Sequence, residues 1–229
     1  MTCIVECASQ AEEDLAFTNG AKIVIRTDLF PQPTAPVTYE DLTTYIEIDP
    51  TDVLAVTAND VTFTNLTRLT STYVYKDFGV DYFADFSINF EYKVTANSSG
   101  AINFNGMFIA LSNSIGEREA IRTASGNIQG ILCGNNGASR FIGLCETKNG
   151  SNYASSFFTP SLNVNYYCTL SRVGTALNLK LYSDEARTTL VSQLSITVLA
   201  LPFQYLYPVQ SVNSGTNVTM SGVIGKISL

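Results

Sequence analysis

From Thr43 onward, hydrophobic and polar residues alternate with period two. The clearest run is Asp85 to Thr95, where Phe86, Ile88, Phe90, Tyr92 and Val94 alternate with Ser87, Asn89, Glu91 and Lys93. Successive side chains of a strand point to opposite faces, so this pattern predicts a long strand with one buried face. Leu177, Leu179 and Leu181 alternate in the same way with Asn178, Lys180 and Tyr182. A strand over Asn165–Val173 precedes them, which makes Arg172-Val173-Gly174-Thr175 a hairpin turn. Further strands are predicted at 44–49, 53–57, 61–66, 72–76, 104–112, 127–133, 140–146, 152–158, 191–198, 203–211 and 217–228. Gly, Asn, Ser and Pro bound them, as turn chemistry requires. Helix is confined to one turn near 116–121 and one near 184–190. Short strands at roughly 10-residue spacing, with no interleaved helices, predict an all-β, two-sheet antiparallel sandwich or barrel.

Residues 1–42 read differently. Pro31-Gln32-Pro33-Thr34-Ala35-Pro36 is biased to extended, polyproline-like backbone. One short apolar run, Ala21–Arg26, predicts a strand before it. The segment reads either as an N-terminal arm or added strand with a stiff connector, or as the first strand of the domain. The domain proper is then 43–229.

Composition narrows the function classes. Only 14% of residues are charged, against roughly 25% in an average soluble domain. Ser, Thr and Asn together supply 64 of the 229 residues, so the polar surface is mostly hydroxyl and amide. The net charge is −7 with no Lys/Arg cluster, which excludes the phosphate contacts that dominate nucleic-acid affinity and argues against an anionic membrane surface. There is no histidine, which removes Ser-His and Cys-His nucleophiles and His-ligated metals. No apolar run approaches the ~20 residues that span a bilayer. The N-terminus has neither the basic nor the apolar region of a signal peptide. The expectation is a protein made in the cytoplasm that stays there or leaves inside a virus particle.

The five cysteines are Cys3, Cys7, Cys133, Cys145 and Cys168, an odd number that reads as free thiols. If the turn between the neighbouring strands is centred near Asn136, Cys133 faces residue 139 or 140, not Cys145.

Two stretches carry a family resemblance. One is Tyr73–Gly79 leading into Phe86–Glu91, and the other is Tyr166–Asp184, with the closing Ser221–Ile227. Together they resemble the concanavalin A-like, laminin-G-like jelly-roll superfamily, and look most like its versions in phage and environmental viral structural proteins. The resemblance covers about residues 43–229 and implies a two-sheet jelly-roll sandwich. The superfamily holds lectins, glycosidases and purely structural domains, so the fold alone does not choose among them.

Three constellations of residues could carry chemistry. Glu47-Ile48-Asp49-Pro50-Thr51-Asp52 is similar to the E-x-D-x-x-E signature of laminarinase-type jelly-roll glycosidases. Two carboxylates flanking a scissile bond are the chemistry needed, but Asp52 replaces Glu and Pro50 breaks the strand. Asp77, Asp81 and Asp85 lie at four-residue spacing around Gly79, in a loop able to fold around calcium, a hard cation that takes oxygen ligands. Three solvated aspartates are the preferred alternative. Tyr153, Tyr205 and Tyr207, with Asn135 and Asn136, are candidates for a glycan site built from ring faces and planar amides. At each position a structural role is preferred, since Phe203, Tyr205 and Tyr207 also alternate as a core face would.

The sequence therefore points to a non-enzymatic structural or adhesion protein. The expected setting is a virion surface, as a capsid decoration or fibre component that self-assembles or docks on a particle. The expected partners are further copies or other virion proteins, engaged through the arm, and a glycan. A soluble lectin-like module is the alternative, and a glycosidase comes third. No cofactor is required; calcium is the one the pattern suggests.

Overall fold

The computed structural model describes residues 4–7, 23–26, 37–98, 100–137, 139–215 and 218–229, the side chains of 4–7, 23–26, 100–103, 136–137 and 153–156 excepted. The chain divides into two compact units, Met1–Thr38 and Tyr39–Leu229. In the first, β1 (Ile4–Cys7) pairs in parallel with β2 (Ile23–Arg26). The prolines of 31–36 and Cys3 lie outside the described residues.

The second unit is the antiparallel jelly-roll sandwich. Its first sheet contains β3 (Ile46–Ile48), β6 (Tyr73–Asp77), β8 (Gly100–Ser112), β9 (Ile128–Gly137), β10 (Ser139–Lys148), β11 (Ser151–Phe158) and β15 (Tyr205–Ser211). Its second contains β4 (Leu54–Val56), β5 (Asp60–Thr67), β7 (Phe86–Asn97), β12 (Tyr166–Val173), β13 (Ala176–Tyr182), β14 (Leu190–Thr197) and β16 (Thr219–Ser228). The strand orders are β11-β10-β9-β8-β15-β6-β3 and β14-β13-β12-β7-β16-β5-β4. Residues 39–42 belong to this unit: the Glu40 amide donates to the Ile227 carbonyl (2.7 Å), and Leu42 is fully buried.

The alternation read from the sequence does the folding. Ile88, Phe90, Tyr92 and Val94 of β7, and Leu177, Leu179 and Leu181 of β13, all point between the sheets. Phe63 and Phe108 meet there from opposite sheets with ring centroids 5.0 Å apart. The predicted hairpin forms with Val173 opposite Ala176, and Gly174 takes a positive φ of 56° that suits a residue without Cβ. One predicted helical turn forms as α1 (Arg118–Thr123). The other does not. Residues 184–189 form a turn because the Asp184 carboxylate accepts from the amides of Thr188 (3.0 Å) and Thr189 (2.6 Å). Those bonds hold the Asp184 carboxyl down at about 2.

The β9–β10 turn lies beyond Asn136, which pairs with Ser139. Cys133 therefore faces Ile142, not residue 139 or 140, and Cys145 faces Gly130. Cys133, Cys145 and Cys168 are buried free thiols, and burial pushes their acidities up out of the reactive range.

One buried polar network ties the two sheets together. Arg172 of β12 is 1% exposed, its guanidinium 5.3 Å from the Phe86 ring centre and 5.5 Å from that of Phe203. It donates to Gln129 Oε1 (3.0 Å) on β9, to the Phe83 carbonyl (3.2 Å) and to the Leu201 carbonyl. Gln129 Nε2 donates in turn to the Glu146 carboxylate (3.0 Å) and the Leu199 carbonyl (2.7 Å). Arg172→Met would take this donor from buried Gln129 Oε1 and from the part-buried Leu201 carbonyl, while the Phe83 carbonyl keeps the Phe203 amide, at about 1–3 kcal/mol for each acceptor left unpaired. The expected outcome is a loss of roughly 3 kcal/mol or more, read from the urea midpoint with an unchanged slope. An unchanged midpoint would show that the network adds nothing to stability.

Candidate functional site

The outward face of the first sheet is not uniformly wet. Tyr73, Met107, Ala110, Ile121, Ile128, Leu132, Cys145 and Tyr207 form a second apolar cluster there. Ile121 comes from α1, within the 113–127 segment that joins β8 to β9. That segment is fastened to the sheet by Tyr207 Oη donating to the Ser114 carbonyl (2.7 Å) and Gln210 Nε2 donating to the Gly116 carbonyl (2.8 Å).

Beside this strap, β3, β6 and β15 lie next to one another in the sheet. Ile46 pairs with Tyr75, Ile48 with Tyr73, and Tyr205 with Asp77. Residues directly opposite in an antiparallel pair share a face. Val74 and Leu206 take the alternate positions and enter the core. Tyr73, Tyr75, Tyr205 and Tyr207 thus form one aromatic surface. Tyr75 stacks on Tyr207 at 5.7 Å and 25°, and meets Tyr205 edge-on at 6.0 Å. Tyr73 lies 5.9 Å from Tyr75 and 6.1 Å from Tyr207.

The four rings differ in access. Tyr207 is fully buried and Tyr73 nearly so, whereas Tyr75 and Tyr205 are half-buried. Asp77 adds a carboxylate beside Tyr205: it accepts from the Gly79 amide (2.8 Å) and from Gln204 Nε2 at 2.9 and 3.0 Å. Desolvation, then the charge of Asp77, raises the Tyr205 hydroxyl above its ordinary range. The loop after Asp77 presents the ring of Tyr82, 54% exposed and 5.0 Å from that of Phe78. Ring faces with a carboxylate and a planar amide at one end can stack on an apolar ligand face and hydrogen-bond its hydroxyls.

The remaining sequence candidates fall elsewhere. Tyr207 is the floor of the aromatic surface and presents no ring to solvent. Asn135 is fully buried, with Nδ2 donating to the Ser98 carbonyl (2.6 Å). The side chains of Tyr153 and Asn136 lie outside the described residues, and the backbone of Tyr153 on β11 is separated from β15 by β10, β9 and β8. Tyr73 and Tyr75 were missed, although Tyr-Val-Tyr-Lys-Asp is itself a period-two signal.

Asp77, Asp81 and Asp85 do not converge on an ion. Asp77 is engaged by Gln204, and Asp85 accepts from the Gly174 amide (2.8 Å) at the other hairpin. Among the described residues no three His, Cys, Asp or Glu side chains are grouped to hold a metal. The carboxylate run of the glycosidase signature is also divided. Its strand ends at Ile48, and Asp49 caps the following turn, accepting from the Leu54 amide (2.7 Å) and the Thr51 amide (3.3 Å). Desolvation and the nearby Asp49 and Asp52 raise the Glu47 carboxyl. Among the described residues no helix is long and apolar enough to cross a membrane.

No protein-family model matches the chain, and no curated protein matches it in sequence. Solved structures are similar to the chain at low identity. The CBM2 module of the evolved Dit protein of Lactobacillus casei BL23 phage J-1 is 13% identical, with a TM-score of 0.44 over 88% of this chain and 94% of that one. The exoplasmic/lumenal domain of VIP36, in its Ca2+/Man3GlcNAc-bound form, is 11% identical, with a TM-score of 0.46 over 84% and 87%. The legume lectin-like domain from Entamoeba histolytica is 12% identical, with a TM-score of 0.46 over 84% and 97%.

The separate engagement of Asp77 and Asp85 predicts no thermal response to calcium. An ion present at a hundred times its Kd would add about 2.7 kcal/mol to stability. Neither calcium nor a chelator is expected to move the melting temperature, and a calcium-dependent rise would contradict the geometry.

Proposed function

We propose that this chain is a non-enzymatic structural or adhesion protein, a virion-surface component whose contact surface is the tyrosine face and whose ligand is a carbohydrate. The observation that carries the reading is the pair of half-buried rings, Tyr75 and Tyr205, held on a rigid sheet beside the Asp77–Gln204 pair. Each ring is fixed by its neighbours before any ligand arrives, so little rotamer entropy remains to be lost on binding. A pyranose has an apolar C–H face for such rings and hydroxyls for the carboxylate and amide. The role of Asp49 as a turn cap supports contact rather than glycoside cleavage. The stretches resembling phage and environmental viral structural proteins support the particle setting. The N-terminal arm is the second contact element in this reading, lying against a neighbouring copy or another surface protein.

A glycan array followed by calorimetry tests the ligand. The expected result is specific binding by the wild type and at least tenfold weaker binding by Tyr75→Ala/Tyr205→Ala, since about 1.4 kcal/mol corresponds to a factor of ten. Tyr207→Phe removes only the bond to Ser114 and should bind as the wild type does. Failure of the wild type to bind any glycan, or full binding by the double variant, would overturn the proposal. Immunogold labelling of native particles tests the setting.

A further inference from the structure

The four end strands of the sandwich are not equally protected. β3 and β4 are three residues each, with Asp49, Pro50 and Asp52 between them. β11 meets β10 across a register shift between Gly143 and Cys145. Short length, charge, proline and bulges are the devices that keep a sheet edge from pairing with another chain. β14 is eight residues long, Leu190-Val191-Ser192-Gln193-Leu194-Ser195-Ile196-Thr197, without a charge or a proline. Its register with β13 is regular from Ser192 to Thr197, and the one shift lies before Ser192.

The Gly174 hairpin fixes which backbone groups of β14 are open. Val173 and Ala176 close its two-residue turn as a hydrogen-bonded pair, so Leu177 turns its amide and carbonyl toward β14. Leu177 faces Ile196, and in the same phase the Val198 amide donates to the Thr175 carbonyl at 2.8 Å. Ladder groups alternate sides along a strand, so Leu194 and Ile196 bond to β13 while Gln193, Ser195 and Thr197 turn outward. No described residue bonds to the outward amides and carbonyls of those three. Their side chains are exposed, whereas Leu194 is buried and Ile196 packs partly buried against the core.

We infer that β14 pairs antiparallel with β14 of a second copy about a two-fold axis through Ser195. The strand is its own complement in that register. Ser195 meets Ser195 of the other copy, with the two Cα atoms about 5.5 Å apart, and Gln193 meets Thr197. Every open amide and carbonyl of the three residues then has a partner. On the outward face these pairs set hydroxyl against hydroxyl and amide against hydroxyl. On the inward face Leu194 lies opposite Ile196 at the positions where cross-strand side chains come closest, which carries the core row from one copy into the next. Beyond the ladder, Val191, 44% exposed, comes toward Leu199 of the other copy, 37% exposed. No like charges meet: Lys180, beside Gln193 on β13, is followed along its row by Thr197 and Ala176 of the other copy. The contact uses the same patch on both copies, so it closes at a dimer and leaves no open β14 edge.

Sedimentation velocity on the full chain tests this. The wild type should dimerise, and equally well at about 0.1 and about 1 M salt, because screening weakens only charged contacts. Ser195→Lys and Ser195→Glu each set like charges directly opposite one another on the axis. The side chain is exposed in the single copy, so each variant should keep the wild-type melting temperature. Each alone should dimerise at least tenfold more weakly than the wild type. An equimolar mixture of the two variants should regain the dimer, because opposite charges then meet on the axis. That rescue requires residue 195 of one copy to face residue 195 of the other. A monomeric wild type, undiminished dimerisation by either variant, or a mixture that stays monomeric would overturn the inference.

Discussion

Arg172 is a buried cation without a carboxylate in direct contact, an arrangement that carries a desolvation cost of several kcal/mol. It is tolerated because its donors meet carbonyl oxygens and its faces meet the rings of Phe86 and Phe203. The consequence reaches beyond stability. Its acceptors at Phe83 and Leu201 lie in two different loops, and those loops are tied again where the Phe83 and Phe203 amides donate to each other's carbonyls at 2.9 and 3.1 Å. The next residue, Gln204, is the one that holds Asp77, and β15 begins at Tyr205. The geometry of the tyrosine face is thus inherited, within two residues, from a network in the core.

The second constraint is the strap of 113–127. An antiparallel sheet commonly keeps one face on the core and one in water. Here the strap dries the middle of the outward face and divides it into two flanks. One flank is Ile46, Ile48, Tyr75 and Tyr205. The other is the ladder Phe104, Phe141 and Phe157, with ring centroids 5.7 and 4.6 Å apart. Gly143 belongs to this second flank, since the Phe157 ring lies over it where a Cβ would come within 2.4 Å. Among the described residues, only the first flank combines half-exposed rings with a carboxylate and an amide.

This division explains what was legible in the sequence. Period-two alternation located the strands of the sandwich because one periodicity serves any strand with a buried face. It also placed the Gly174 hairpin, whose turn chemistry is local. It could not say which face of the first sheet would be covered, because the cover is a segment folded back from elsewhere. Tyr207 alternates as a core residue does because it is buried, but in the second cluster and not between the sheets. Tyr75 carries the same signal and is half-exposed, since the strap ends short of it. Asp184 misled for a different reason: an acidic residue before Glu-Ala-Arg reads as a helix start, yet its carboxylate closes a tight turn by taking two amides. The three aspartates of 77–85 share a spacing in sequence, but two of them are taken by partners distant in the chain, Asp77 by Gln204 and Asp85 by the Gly174 amide.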